Sequence, residues 1–85
     1  MECWVYILFS EKFDTYYVGQ SKNPVRRLEF HNSIERGFTA RYRPWKLVYS
    51  RRCSSRTEAI SLEKKIKQWK SKTMIQKLLN NEILF

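Results

Sequence analysis

Nearly every side chain from Cys3 to Phe9 is aromatic, branched or otherwise apolar, and the same character returns from Tyr16 to Gln20 after the polar stretch Ser10 to Thr15. Aromatic and β-branched runs on either side of a short polar break predict a β-hairpin. Asn23 stands before Pro24, an N-cap followed by a first-turn proline, and Val25 and Leu28 repeat at helical spacing as a core pair until about Asn32. Ser33 to Pro44 is polar and basic with Gly37 inside it, which predicts a loop long enough to carry function. Strand character resumes from Trp45 to Arg51. Ser55 and Glu58 then form an S-x-x-E capping box, and Ala59, Leu62, Ile66 and Trp69 follow at steps of three and four. A third helix from about Lys72 to Leu79 places Ile75, Leu78 and Leu79 on one side. The tail Ile83-Leu84-Phe85 is apolar enough to dock. The order β-β-α-β-α-α predicts an α/β (α+β) domain, a three-stranded, mostly antiparallel sheet flanked by helices.

Eighty-five residues make one domain, 1–85, with a single core, and 42% hydrophobic with 29% charged residues exclude a disordered, fibrous or membrane-embedded chain. Charge changes the picture more. Seventeen Lys and Arg against eight Asp and Glu give a net charge of +9, and residues 36 to 77 hold 13 of the basic and only 2 of the acidic side chains. Such asymmetry within one domain points to a polyanion, nucleic acid before anionic membrane. The apolar start carries no basic n-region and meets Ser10-Glu11-Lys12 too soon for a signal peptide or a spanning helix, so a cytoplasmic protein is expected. Cys3 and Cys53 are too few for a disulfide framework and lack partners at zinc spacing; they read as reduced packing residues.

The hairpin decides whether Tyr6 and Tyr17 meet. If Ser10 pairs with Thr15 across a four-residue loop, Leu8 faces Tyr17, Tyr6 faces Gly19, and both phenols share one face. Gly19 opposite Tyr6 then leaves room for something to approach. Arg27 and His31 are four apart on the first helix, hence on one face. Glu63 lies beside the apolar stripe of the second helix, with Lys67 four residues on, the spacing of an ordinary surface ion pair.

These residues resemble the GIY-YIG nuclease superfamily, and in particular its small stand-alone proteins. The first motif falls on Trp4-Val5-Tyr6 and the second on Tyr17-Val18-Gly19. Arg27-Leu28 with His31 resembles the family's first helix, Glu63 its metal-binding glutamate, and Thr39 to Tyr49 the stand-alone subgroup. Trp4 stands where the name-giving glycine would be, and an indole there alters the floor of the site.

The resemblance implies hydrolysis of DNA phosphodiesters with one Mg²⁺ or Mn²⁺ ion on Glu63. A single carboxylate suffices for an ion that keeps its waters and accepts phosphate oxygens. A phenol of pKa about 10 is ionised to about one part in a thousand at pH 7, a deficit of about 4 kcal/mol. Arg27 and the lysine-rich surroundings favour phenolate, and His31 is placed to relay the proton. The catalytic set is therefore Tyr6, Tyr17, Arg27, His31 and Glu63, with Tyr17 or Tyr6 deprotonating water and Arg27 stabilising the phosphate.

Candidate phosphate contacts are Arg36, Arg41, Arg43 and Lys46 on the loop and third strand, interleaved with Tyr42 and Trp45, which as stacking platforms compete with a role as core anchors. Lys64, Lys65, Lys67, Lys70 and Lys72 form a second basic surface. Nothing resembles a base-reading element, so cutting directed by shape or of little selectivity is expected, in repair, recombination or mobile-element traffic. DNA is the expected partner ahead of RNA, and no membrane is. The alternatives are an inactive DNA- or RNA-binding module, for which Trp4 is the hint, and a homodimer or larger assembly built through Ile83-Leu84-Phe85.

Overall fold

The computed structural model describes residues 3–33, 41–69 and 71–83. Strands β1 (Cys3–Ser10), β2 (Thr15–Ser21) and β3 (Lys46–Cys53) form one sheet in the order β2-β1-β3, with helices α1 (Pro24–Ser33), α2 (Arg56–Gln68) and α3 (Lys72–Leu79). Both pairings are antiparallel. This is the expected β-β-α-β-α-α architecture. No described helix is long and apolar enough to cross a membrane.

The hairpin adopts the expected register, Ser10 opposite Thr15, Leu8 opposite Tyr17 and Tyr6 opposite Gly19. Its four-residue turn closes at Asp14, whose positive φ of 50° is a conformation that Asp tolerates better than most residues. Alternation along β1 then divides the interior. Cys3, Val5 and Ile7 point to one face, where Val18, Cys53, Ala59, Leu62, Ile66 and Leu78 bury them. Tyr6 and Leu8 point to the other, with Trp45 and the half-buried Tyr17, Leu28, Tyr42 and Leu47. Both cysteines are free and buried, directly opposite each other on β1 and β3.

A bulge in β3 serves both faces. Ile7 pairs with Tyr49 and Leu8 with Leu47, so Val48 is the extra residue. Residues two apart normally share a face of a strand, but here Tyr49 joins the first core and Leu47 the second.

The caps match the sequence. The Asn23 side chain accepts the Arg26 amide at 3.1 Å, and Ser55 accepts the Glu58 amide at 3.1 Å. Glu58 does not close the box on Ser55; its carboxylate accepts the Ser54 hydroxyl at 2.7 Å instead. Ser71 caps α3 in the same way through the Met74 amide.

One expectation fails. Val25 is 59% exposed, because α1 turns Pro24, Leu28 and His31 inward, a stripe that contains a histidine and so escapes an apolar count. Of the two readings of Trp45 the core anchor holds: it precedes β3 and is 2% exposed in the second core, which leaves no indole face for a base to stack on. Tyr42 and Trp69 also pack against the two cores as anchors. Ile83 packs on this chain's own first core; Leu84 and Phe85, the rest of the proposed docking tail, and the loop segment 34–40 lie outside the described residues.

Candidate active site

On the α1 face of the sheet the hairpin register brings the phenols together. The rings of Tyr6 and Tyr17 stand 6.3 Å apart, and Tyr17 meets the His31 imidazole edge-on at 4.8 Å. Tyr6 Oη lies 3.2 Å from His31 Nε2, a hydrogen bond that either atom donates according to the imidazole tautomer. Both partners are 1% exposed. The room left by Gly19 is taken by Tyr6 itself: a Cβ on Gly19 would stand 2.7 Å from Tyr6 Oη and 2.8 Å from Cζ. Glycine is needed here for close approach, since any side chain would displace the phenol.

Arg27 and Glu63 lie within electrostatic reach of the Tyr6 phenol. Burial pushes the Tyr6 phenol above the ordinary tyrosine value, and the nearby Tyr17 and Glu63 add to the rise. A hydrogen bond from Arg27 and its positive charge act the other way without overcoming burial. Basic surroundings therefore do not make Tyr6 a phenolate, contrary to the sequence expectation. The Arg27 guanidinium also stacks 4.6 Å from the Phe30 ring, which fixes its direction.

Three polar side chains fix the surroundings of His31 through bonds the sequence did not show, among them Arg43, which the sequence offered as a phosphate contact. Asn32 bridges the Trp45 backbone, its amide donating to the carbonyl at 3.0 Å and its carbonyl accepting the amide at 2.6 Å. Arg43 Nε donates to the His31 carbonyl at 2.9 Å, and Ser10, fully buried, donates to the Tyr42 carbonyl at 2.6 Å. Together they tie the end of α1 and strand β1 to the segment before β3. A partner more than ten residues away leaves no local trace in a sequence, so no signal marked these bonds.

The GIY-YIG catalytic domain family matches residues 2–78. The chain belongs to that family. Its fold is similar to the solution NMR structure of the UPF0213 protein BH0048 from Bacillus halodurans, with a TM-score of 0.60 and 27% identity over 94% of this chain and 84% of that one. No curated protein matches the chain significantly. Membership of the GIY-YIG family implies nuclease-type activity on nucleic acid.

In GIY-YIG terms, Trp4-Val5-Tyr6 and Tyr17-Val18-Gly19 are the paired central segments of the hairpin. Val5 and Val18 belong to the apolar core on the far face, while Tyr6 and Tyr17 belong to the site. Trp4, half-buried, lies between Ser21 and Arg52 at the end of the site face and flanks the phenols.

GIY-YIG nucleases are generally metal-dependent, so the donors present have to be tested against an ion. Among the described residues no group of three or more His, Cys, Asp or Glu side chains could hold one. A hard divalent cation that keeps its waters needs less, a single carboxylate open to solvent. The Glu63 side chain is 18% exposed and paired with Lys67 at 3.4 Å, the i, i+4 pair foreseen from spacing. That carboxylate fits such an ion, with Lys67 as its competitor.

The expected phosphate contacts divide. Arg41 is exposed, whereas Arg43 is half-buried and committed to the His31 carbonyl. Lys46 pairs with Glu11 at 2.7 Å. Lys67 lines a groove of about 410 Å³ between β2 and the helices α2 and α3. Arg36 and Lys70 lie outside the described residues.

Proposed function

We propose that this chain is a metal-dependent DNA endonuclease in which Tyr6, Tyr17, Arg27, His31 and Glu63 form the active site. The observation that carries the reading is the buried Tyr6–His31 hydrogen bond, set beside Arg27 and within the electrostatic reach of Glu63. A mere binding module needs no such buried proton pair. Glu63 would hold one Mg²⁺ or Mn²⁺ ion, which supplies positive charge to the phosphodiester and lowers the pKa of nearby water.

The two phenols have different tasks. Tyr6 is held neutral by burial, so a free phenolate is a poor base here. A relay avoids it: Tyr6 Oη takes a proton from the attacking water while its own proton passes to His31 Nε2, in the tautomer that leaves Nε2 bare. Histidine is the side chain whose charge change lies nearest neutral pH, which suits it to receive that proton. The resulting hydroxide attacks phosphorus and the leaving oxygen departs on the opposite side. Arg27 donates to the phosphate oxygens as negative charge builds on them. Tyr17 packs its ring against His31 and keeps the imidazole aimed at Tyr6.

The substrate is DNA, cut by shape or with little selectivity, since cations suited to phosphate dominate the surface and no base-reading element stands out. Repair, recombination or mobile-element traffic fits such cutting. The experiment is nicking of supercoiled plasmid and of a branched DNA with Mg²⁺ or Mn²⁺, comparing wild type, Glu63→Gln and an EDTA control. Metal-dependent nicking lost in Glu63→Gln supports the reading. Equal nicking by Glu63→Gln sinks the metal role, and tight salt-sensitive binding without cutting in either metal replaces the nuclease by a binding module.

A further inference from the structure

Two grooves open at opposite ends of the edge strand β2. The first, about 410 Å³, adjoins its beginning and is lined by Tyr16, Tyr17, Lys67, Lys72 and Ile75 among others. The second, about 440 Å³, begins at its last residue, Ser21, and continues along α1 past Lys22, Arg26, Arg27 and Phe30. Between them, over Gly19, lies the phenol of Tyr6. Each groove also shares a residue with the candidate site, Tyr17 with the first and Arg27 with the second.

We propose that the nucleic-acid strand runs along the free edge of β2, its phosphates held by Lys67 and Lys72 on one side of the reacting bond and by Lys22 and Arg26 on the other. The inference rests on the nuclease reading and adds the path of the substrate to it. Each groove has the volume of a pocket for one small ligand, room for a nucleotide or two of one strand. From Thr15 to Ser21 the strand spans about 20 Å, or about six nucleotides at the ~3.4 Å rise of one B-form strand. Tyr16 and Phe30 give each groove an aromatic ring beside its cations, the combination that suits a base next to a phosphate.

Acidic neighbours do not close either path. Lys67 faces Glu63 at 3.4 Å and Lys72 faces Asp14 at 3.1 Å, both as ion pairs whose lysines are more than half exposed. Such pairs are weak, so a phosphate competes with them readily. Among the described residues Glu29 is the one carboxylate lining the second groove, against Lys22, Arg26 and Arg27. The path keeps Lys67 and Lys72 of the second basic surface expected from the sequence and leaves aside Arg41, Arg43 and Lys46 of the first. Of those, Arg43 is committed to the His31 carbonyl.

The test is fluorescence anisotropy of a labelled single-stranded 12-nucleotide DNA in EDTA, which separates binding from cutting, followed over a salt series. Lys67→Gln/Lys72→Gln and Lys22→Gln/Arg26→Gln should each lower the slope of log K against log salt by about 1.4, two phosphates at ~0.7 apiece. The four changes together should lower it by the sum. Arg56→Gln/Lys77→Gln, which removes the same charge from exposed positions on α2 and α3 outside both grooves, should leave it unchanged. An unaltered slope in either groove variant, or an equal loss in Arg56→Gln/Lys77→Gln, overturns the path. If the path falls while Glu63→Gln still abolishes metal-dependent nicking, the nuclease reading stands; if wild type neither binds the oligonucleotide nor nicks, both fall.

Discussion

The two faces of the sheet are made from alternate residues of the same strands, yet they are held together differently. Towards α2 and α3 the buried side chains are aliphatic or sulfur-bearing, and apart from the two thiols, which donate to Gln20 Oε1 and to the Arg51 carbonyl, they are joined by contact alone: Val5, Ile7, Val18, Ala59, Leu62, Ile66. Towards α1 they are Tyr6, Tyr17, His31 and Trp45, and nearly every contact includes a hydrogen bond or an aromatic edge. A core of the first kind depends on volume and tolerates swaps that conserve it. A core of the second kind is bound by direction, because each buried polar atom needs its particular partner. The aliphatic face and the face to which we assign the chemistry are thus one residue apart along β1.

Removing one hydroxyl from the polar face should give the largest effect. Tyr6→Phe keeps the ring over Gly19 but ends the relay to His31, so cleavage in the plasmid assay should fall about 10²–10⁴-fold, the usual worth of a positioned acid–base group. Stability should drop by only about 1–3 kcal/mol, the cost of leaving the His31 nitrogen without its partner. A Tyr6→Phe enzyme with wild-type rates would end the functional distinction between the faces.

The aliphatic face should respond in the opposite sense. Ile66→Ala, at a position 1% exposed in the first core, should cost about 2–5 kcal/mol in urea unfolding. Its cleavage rate per folded molecule at saturating DNA should match wild type, because Ile66 belongs to the core on the far face from the Tyr6–His31 pair and enters only the wall of the groove that holds Lys67 and Lys72. Gly19→Ala lies between these cases. The added methyl would collide with Tyr6 Oη at 2.7 Å, so we expect a loss of about 1–3 kcal/mol by overpacking together with a reduced cleavage rate, since the displaced phenol leaves His31. Retained activity at full stability would mean that Tyr6 finds another rotamer competent for the same chemistry.

What could be read from the sequence follows the same division. The hairpin was legible from two aromatic runs about a polar break, and its register followed on the condition that Ser10 pairs with Thr15, a parity that puts Tyr6 and Tyr17 on one face and that the structure adopts. Asn23 and Ser55 announced their helices because capping is a local bond between near neighbours. Val25 misled because an apolar count ranks valine above histidine, whereas α1 buries His31 for the bond it makes. The bulge at Val48 was invisible, since β3 reads as strand with or without it. The bonds from Asn32 to the Trp45 backbone and from Arg43 to the His31 carbonyl join residues more than ten apart and carry no short-range pattern at all.

The smallest effect at neutral pH concerns the Tyr6 proton and separates the faces by their response to alkali. The folded protein holds that proton to a higher pH than the unfolded chain does, because burial disfavours the phenolate. Above about pH 10 the unfolded state therefore binds fewer protons than the folded one, and stability falls as pH rises towards the folded value; below about pH 10 Tyr6 contributes no slope. Urea melts of wild type from about pH 8 to about pH 11 should show this alkaline decline, and Tyr6→Phe should remove part of it. Ile66→Ala should lower the whole curve and keep the decline, to which the Cys53 thiol of the aliphatic face, also pushed up by burial, contributes its own part in both proteins. Among the five tyrosines, absorbance at the phenolate band should record one that ionises only as the protein unfolds. Should Tyr6→Phe decline with pH as steeply as wild type, the buried phenol would not be the group that the polar face protects, and its hydrogen bond to His31 would lose its claim to set the site's proton inventory.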